Sequence, residues 1–183
     1  MYRDNTLIPT EAIRLAALGS LAEGDKRYAD LAGEIRYFVA RVAGPSLDLL
    51  GASLELLCYE DLAVATSGEA MEADAVLRIT DAGRAAFHTL MTSNVRAPVN
   101  DVSKLVIALK MRFMHLLPDD DRADQTEMLT EMCETELARL VQLRGEYSQG
   151  RLAEWLDFEI AQLNERLAWY QALDTDGTGA APQ

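Results

Sequence analysis

The chain has 183 residues, 49% of them hydrophobic, enough to bury a substantial core in one good-sized domain or two small ones. Its net charge of −13 repels phosphate and suits solubility or a basic partner. No apolar run approaches the roughly 18–20 uncharged residues of a membrane span, and the opening MYRDNTLIPTEAIR lacks the apolar stretch of a signal peptide, so a cytoplasmic protein with no membrane partner is expected.

The acidity is not confined to a tail. Residues 1–93 carry 8 basic and 14 acidic groups, and residues 94–183 carry 9 and 16. Cys58 and Cys133 fall in apolar helical stretches far apart in sequence and read as free buried thiols. There is no CxxC, no HExxH and no cluster of His with carboxylates; His88 and His115 stand alone. A metal site, a nucleophilic triad, a cofactor and enzymatic activity are therefore not expected.

In chain order, Thr10 is the expected cap of a first helix, TEAIRLAALGSLAEG, with Ile13, Ala16, Ala17 and Leu21 on one face and Gly24 as its stop. A second helix spans about residues 28–42, where Leu31, Ile35, Phe38, Val39 and Val42 form an apolar stripe at three-to-four spacing. Gly44–Pro45 breaks it and Ser46 is placed to cap a third helix. That helix would bury Leu47, Leu50, Leu54, Leu57 and Cys58. Its other face presents Asp48, Leu49, Ala52, Glu55, Leu56 and Tyr59. LAVAT and AVLRIT read as two strands around an acidic tip, EAMEAD, and Thr80 should cap a fourth helix, TDAGRAAFHTLMT. Beyond a linker at VRAPVN come the apolar KLVIALKMRFMHLL, a long helix from about Arg122 to Arg144, and a last helix from about Arg151 to Leu173. The tail DTDGTGAAPQ lacks apolar periodicity and should be mobile.

Three helices, a hairpin and a fourth helix make a winged helix-turn-helix. The expected class is mainly α with a small β-hairpin wing: a winged domain at residues 10–93, a helical dimerisation domain at 103–173 and a flexible tail at 174–183. The chain resembles the PadR family of bacterial transcription regulators. AIRLAALGSLAEGDKRYADLAGEI is similar to that family's opening, with Tyr28 at its tyrosine. SLELLCYEDLAV takes the place of its AL-x-x-L-E-x-x-G-L helix end, and LRITDAGRAAF is close to its R-L-T-E-A-G-R segment. ALKMRFMHLLP and ERLAWYQAL resemble the two ends of its dimerisation region.

The departures fall on the helix that in this family reads DNA. Its Gly-Ser/Thr-Leu-Tyr-Pro-Ala-Leu signature is replaced by residues 48–54, with Gly51 and Ala52 where tyrosine and proline are usual. Residues 45–61 hold no Lys, Arg, Asn or Gln, the side chains that pair with guanine and adenine. The candidates left for DNA are Lys26, Arg27, Tyr28, Arg36, Arg41 and Arg78, a thin set against the roughly 6–10 phosphate contacts of a firm DNA binder. Two of them abut the start of the second helix, whose dipole could help hold one phosphate. Leu49, Leu56 and Tyr59 are expected either to form an exposed patch better suited to protein or to pack against the wing or the C-terminal arm.

Two readings follow. One is a PadR-like homodimeric regulator with weak DNA contacts. The other is a degenerate winged helix that serves as a protein-interaction or antirepressor module. The last helix carries more large apolar groups than one face needs. A two-fold interface through Leu152, Trp155, Leu156, Ile160, Leu163 and Leu167, with the same helix and residues 103–117 of the partner, is expected.

Overall fold

The computed structural model describes residues 6–44, 50–68, 72–95 and 99–173, and of residues 50–53 the backbone alone. Ser46, Leu47, Asp48 and Leu49, the tip residues Glu69, Ala70 and Met71, and the tail 174–183 lie outside the described residues. The elements in order are α1 (Pro9–Ala22), β1 (Lys26–Arg27), α2 (Tyr28–Val42), α3 (Leu50–Tyr59), β2 (Ala63–Ser67), β3 (Val76–Ile79) and α4 (Asp81–Met91), then α5 (Asp101–Phe113), α6 (Asp119–Glu146) and α7 (Arg151–Leu173). A single 3-10 turn, Met114–Leu116, follows α5. The protein is mainly helical with one small antiparallel sheet, the winged-helix class expected from its sequence. The sheet has three strands in the order β1-β3-β2 rather than the two of a simple hairpin.

Helix α1 starts one residue before the expected cap. Pro9 occupies the first turn, where its missing N–H costs nothing. The Glu11 carboxylate accepts the Ile8 N–H at 2.9 Å, so the helix is closed by Glu11 reaching back and Thr10 lies inside it. Burial runs around much of α1, taking in Ala12, Ile13, Leu15, Ala16, Ala17, Leu18 and Leu21. It is enclosed because α2, α3, α4 and α5 all pack on it. Helix α2 has the expected bounds and a narrower buried stripe, Leu31, Ile35 and Val39.

Leu54 and Leu57 anchor α3. Its end is a Schellman motif: Leu62 N–H donates to Leu57 O at 2.8 Å and Asp61 N–H to Cys58 O at 3.2 Å. Asp61 supplies the left-handed residue, with φ 57, at the position where the PadR-like pattern has glycine. The chain then enters β2, which pairs with β3 in the register Ala63↔Ile79, Val64↔Arg78 and Ala65↔Leu77. Leu77 and Ile79 are buried while Arg78 faces solvent, the alternation of a sheet with one wet face. Lys26↔Leu77 and Arg27↔Val76 add β1 to the other edge of β3.

Thr80 caps α4 as expected, its hydroxyl accepting Gly83 N–H at 2.9 Å while donating to Asp61 O at 2.7 Å. Asn100 caps α5 in the same way through Ser103 N–H, at 2.9 Å. Lys110 of α5 is fully buried and donates to Met91 O and, at 2.6 Å, to Ser93 O. It thereby holds the last carbonyl of α4 and one just beyond it, and burial pushes its ammonium down to about 7.

The chain divides into two compact units, Met1–Asn94 with Val99–Leu117 and Val95–Pro98 with Pro118–Gln183. Helix α5 thus clusters with the first unit, packed on α1 and α2. The second unit is dominated by the α6–α7 hairpin. Leu129, Met132 and Cys133 of α6 and Ala153, Leu156, Leu163 and Tyr170 of α7 are buried in it. The turn is tied by Arg144, which forks onto Asp157 at 2.7 and 2.9 Å and donates to Tyr147 O at 2.8 Å.

Candidate nucleic-acid interface

A winged helix offers DNA three things: the exposed face of α3, the start of α2 and the solvent face of the wing. On α3 that face is formed by Glu55, Leu56 and Tyr59, all exposed, with Tyr59 86% and Leu56 44% accessible. Leu49 lies outside the described residues, so the three-residue patch expected from the sequence is described at two positions. Glu60, at the helix end, is held by Arg14 of α1 at 2.9 Å. Among the described α3 side chains only the Tyr59 hydroxyl could donate to a base edge.

The start of α2 is committed elsewhere. Tyr28 N–H donates to Ala75 O at 2.8 Å and Ala29 N–H to Ala73 O at 3.1 Å. These first-turn amides are the ones a phosphate would need, and the wing backbone takes them. Nothing in the residue pattern signals this, because β1 is only two residues long and is defined by its partners on β3.

The cationic candidates separate into three kinds. Lys26 is half-buried and bonds Glu34 at 2.6 Å. Glu34 also accepts the Ser20 hydroxyl at 2.9 Å and the Arg112 guanidinium, so it joins α1, β1, α2 and α5 at one point. Burial alone would raise the Glu34 carboxyl, but the hydrogen bonds from Lys26, Ser20 and Arg112 outweigh it and hold the group below its ordinary value. Arg112 is further fixed over the rings of Phe38 at 5.2 Å and Phe113 at 4.9 Å. Lys26 is thus part of a packed structural hub.

Arg27 and Arg78 are the second kind. Both stand exposed on the solvent face of the wing, Arg27 paired with Asp30 at 2.7 Å and Arg78 forked onto Asp25 at 2.5–3.0 Å. The Arg78 hydrogen bond holds the Asp25 carboxyl below its usual range. Arg36 and Arg41 are the third kind: both are exposed on α2, and neither has a carboxylate partner among the described residues. Arg41 lies over the Tyr37 ring at 4.6 Å, and Tyr37 itself is exposed. Tyr37 is absent from the candidates drawn from the sequence, although its place four residues before Arg41 is the spacing at which helical neighbours meet.

A family model described as "Putative AphA-like transcriptional regulator" matches residues 2–174. The chain belongs to that family. A comparison with curated proteins gave no significant match. In this AphA-like chain no group of three or more His, Cys, Asp or Glu is placed to hold a metal among the described residues, and no described helix is long and apolar enough to cross a membrane.

The helical unit of the AphA-like chain sorts the expected interface residues into two sets. Leu156 and Leu163 are buried, and Ile160 and Leu167 half-buried. This is the stripe that meets α6 within the chain, where Cys133 Sγ also lies 3.5 Å from Leu163 O. Trp155 is exposed on a different side of α7, and Leu152, in line with the stripe at the helix start, is exposed as well. Phe158 and Trp169 share that exposure, and the three aromatic residues are each more than half accessible.

Proposed function

We propose that this protein is a PadR-like transcriptional regulator of bacterial cytoplasm, acting as a homodimer that contacts DNA weakly, and that it is not an enzyme. The observation that carries this is the winged helix itself, with a three-stranded wing flanked by α3 and α4, in a chain of a transcriptional-regulator family. The weakness follows from the charges. Of the five basic candidates, three are held by carboxylates, and α3 presents Glu55 where a phosphate would pass. Two like charges about 4 Å apart repel by ~1 kcal/mol even in bulk water.

The dimer reading is supported by α7. Trp155, Phe158 and Trp169 stay exposed after α6 has covered Leu156 and Leu163, and a helix that serves only a monomer has no use for a second aromatic face. The two-fold surface is accordingly proposed to run through Leu152, Trp155, Phe158 and Trp169. A monomer in light scattering at micromolar concentration would overturn this part.

A second reading, a protein-interaction or antirepressor module, is favoured by Leu56 and Tyr59, which place apolar and aromatic surface where base-reading groups are normally found. Fluorescence anisotropy with upstream DNA, measured across ionic strength, separates the two. Binding that weakens steeply with salt supports the regulator; no binding at any ionic strength leaves the interaction module.

A further inference from the structure

We propose that Arg27 and Arg78 form a two-point phosphodiester site on the solvent face of the wing, occupied in the free protein by the carboxylates of Asp30 and Asp25, which nucleic acid displaces. The proposal rests on the DNA-binding reading above and says which contacts make it.

The register places the two arginines together. Arg27 pairs with Val76, so Arg78 lies two residues along β3 on the same face of the sheet. Val64, opposite Arg78 on β2, is also exposed, whereas Leu77 and Ile79 point into the core. Asp25 engages Arg78 through both carboxylate oxygens, the planar fork geometry with which arginine also grips phosphate. The carboxylates therefore stand in for the anion the site is shaped to hold.

Accessibility decides which pairs can exchange. The Arg27 and Asp30 side chains are 62% and 56% exposed, and those of Arg78 and Asp25 58% and 35%. Pairs this open contribute little to the fold and can be broken without disturbing it. Lys26 and Glu34 are 26% and 27% exposed and share Glu34 with Ser20 and Arg112, so Lys26 stays in the hub. Binding costs two ion pairs broken and returns two arginine–phosphate contacts. This explains how an acidic protein could keep DNA affinity low yet measurable.

The test uses the full chain and a labelled DNA duplex of mixed sequence, with affinity measured against salt. Arg27→Gln with Arg78→Gln should make the log–log salt slope shallower by about 2, at ~0.9 for each phosphate that is no longer neutralised. Asp25→Asn with Asp30→Asn should raise affinity several-fold with the slope unchanged, and that gain should vanish when both arginines are also replaced. Glu131→Gln with Glu134→Gln, both exposed on α6, removes the same charge without freeing an arginine. A gain equal to that control's, or a slope indifferent to the arginine changes, overturns the proposal while leaving DNA binding intact. Failure of wild type and every variant to bind at low salt overturns the DNA reading itself. Circular dichroism melting confirms that the variants are folded, and gain of affinity is a result that misfolding does not produce.

Discussion

Replacing Gly83 by alanine probes the tightest junction in the winged unit. A Cβ at residue 83 would lie 2.0 Å from Leu62 O and 2.8 Å from Ile79 Cγ1. The isoleucine could shift, but the carbonyl is fixed from two directions. Leu62 O accepts Thr80 N–H at 3.1 Å, and the Thr80 hydroxyl bonds both Asp61 O and Gly83 N–H. Relief requires moving the start of α4 off the end of α3. Overpacking of a well-filled interior costs about 1–3 kcal/mol and occasionally more, set against a gain of about 0.5–1 kcal/mol from removing a helical glycine. A net loss of about 1–2 kcal/mol is expected in urea unfolding followed by circular dichroism. Gly33→Ala is the matched control: this glycine is exposed in α2 and nothing lies within 4 Å of its Cβ position, so a gain of up to ~1 kcal/mol is expected. Equal stability changes in the two variants would refute the close-approach argument. The same geometry accounts for the glycine in the LRITDAGR segment.

Asp61→Gly should stabilise the protein by about 1 kcal/mol, because Asp61 holds a left-handed φ of 57 at the Schellman position and glycine adopts it without a Cβ penalty; the thermal midpoint checks this. Lys110 gives a pH signature. Its folded value of about 7 lies below the ordinary ~10.4 of an unfolded lysine, so between those values the unfolded chain holds a proton that the folded chain has released, and stability rises with pH. Its contribution is fully present above the unfolded value and is lost as pH falls through about 7. Between about pH 7 and pH 9 the stability of wild type relative to Lys110→Met should rise by about 2–3 kcal/mol, at ~1.4 kcal/mol per pH unit. Parallel profiles in denaturant unfolding would remove Lys110 as the source.

Long periodic elements and the β2–β3 hairpin are legible in the sequence, and the third strand of the wing is not. The stripes of α2 and α7 define their bounds, since one apolar face repeats over four or more turns, and Thr80 is readable because a capping threonine precedes a helix directly. Helix α6 begins at Asp119 rather than near Arg122. Asp119, Asp120 and Asp121 form its first turn, where carboxylates meet the positive end of the helix dipole. Strand β1 leaves no trace, because two charged residues have no alternation to show and owe their conformation to Leu77 and Val76. The basic candidates are visible, but the carboxylates that hold them are not: Asp25 is 53 residues from Arg78, and only the β1–β3 pairing brings them together. On α7 the excess of apolar groups is plain. Which of them meet α6 depends on the rotation of one helix against the other, and this puts Leu156 and Leu163 inside and Trp155 outside.

The two hydrogen bonds from Tyr28 and Ala29 to Ala75 and Ala73 make the wing and the start of α2 a single opening unit. The wing loop cannot swing away without exposing two amides at a helix start, and α2 cannot fray at that end without releasing the wing. In native-state amide exchange the Tyr28 and Ala29 protons should therefore carry the protection of β3 rather than that of an ordinary first helical turn, which exchanges almost freely. Movement in the wing would then reach α1 and α5 along a rigid lever, because α2 also carries Glu34, the one carboxylate that Ser20, Lys26 and Arg112 share.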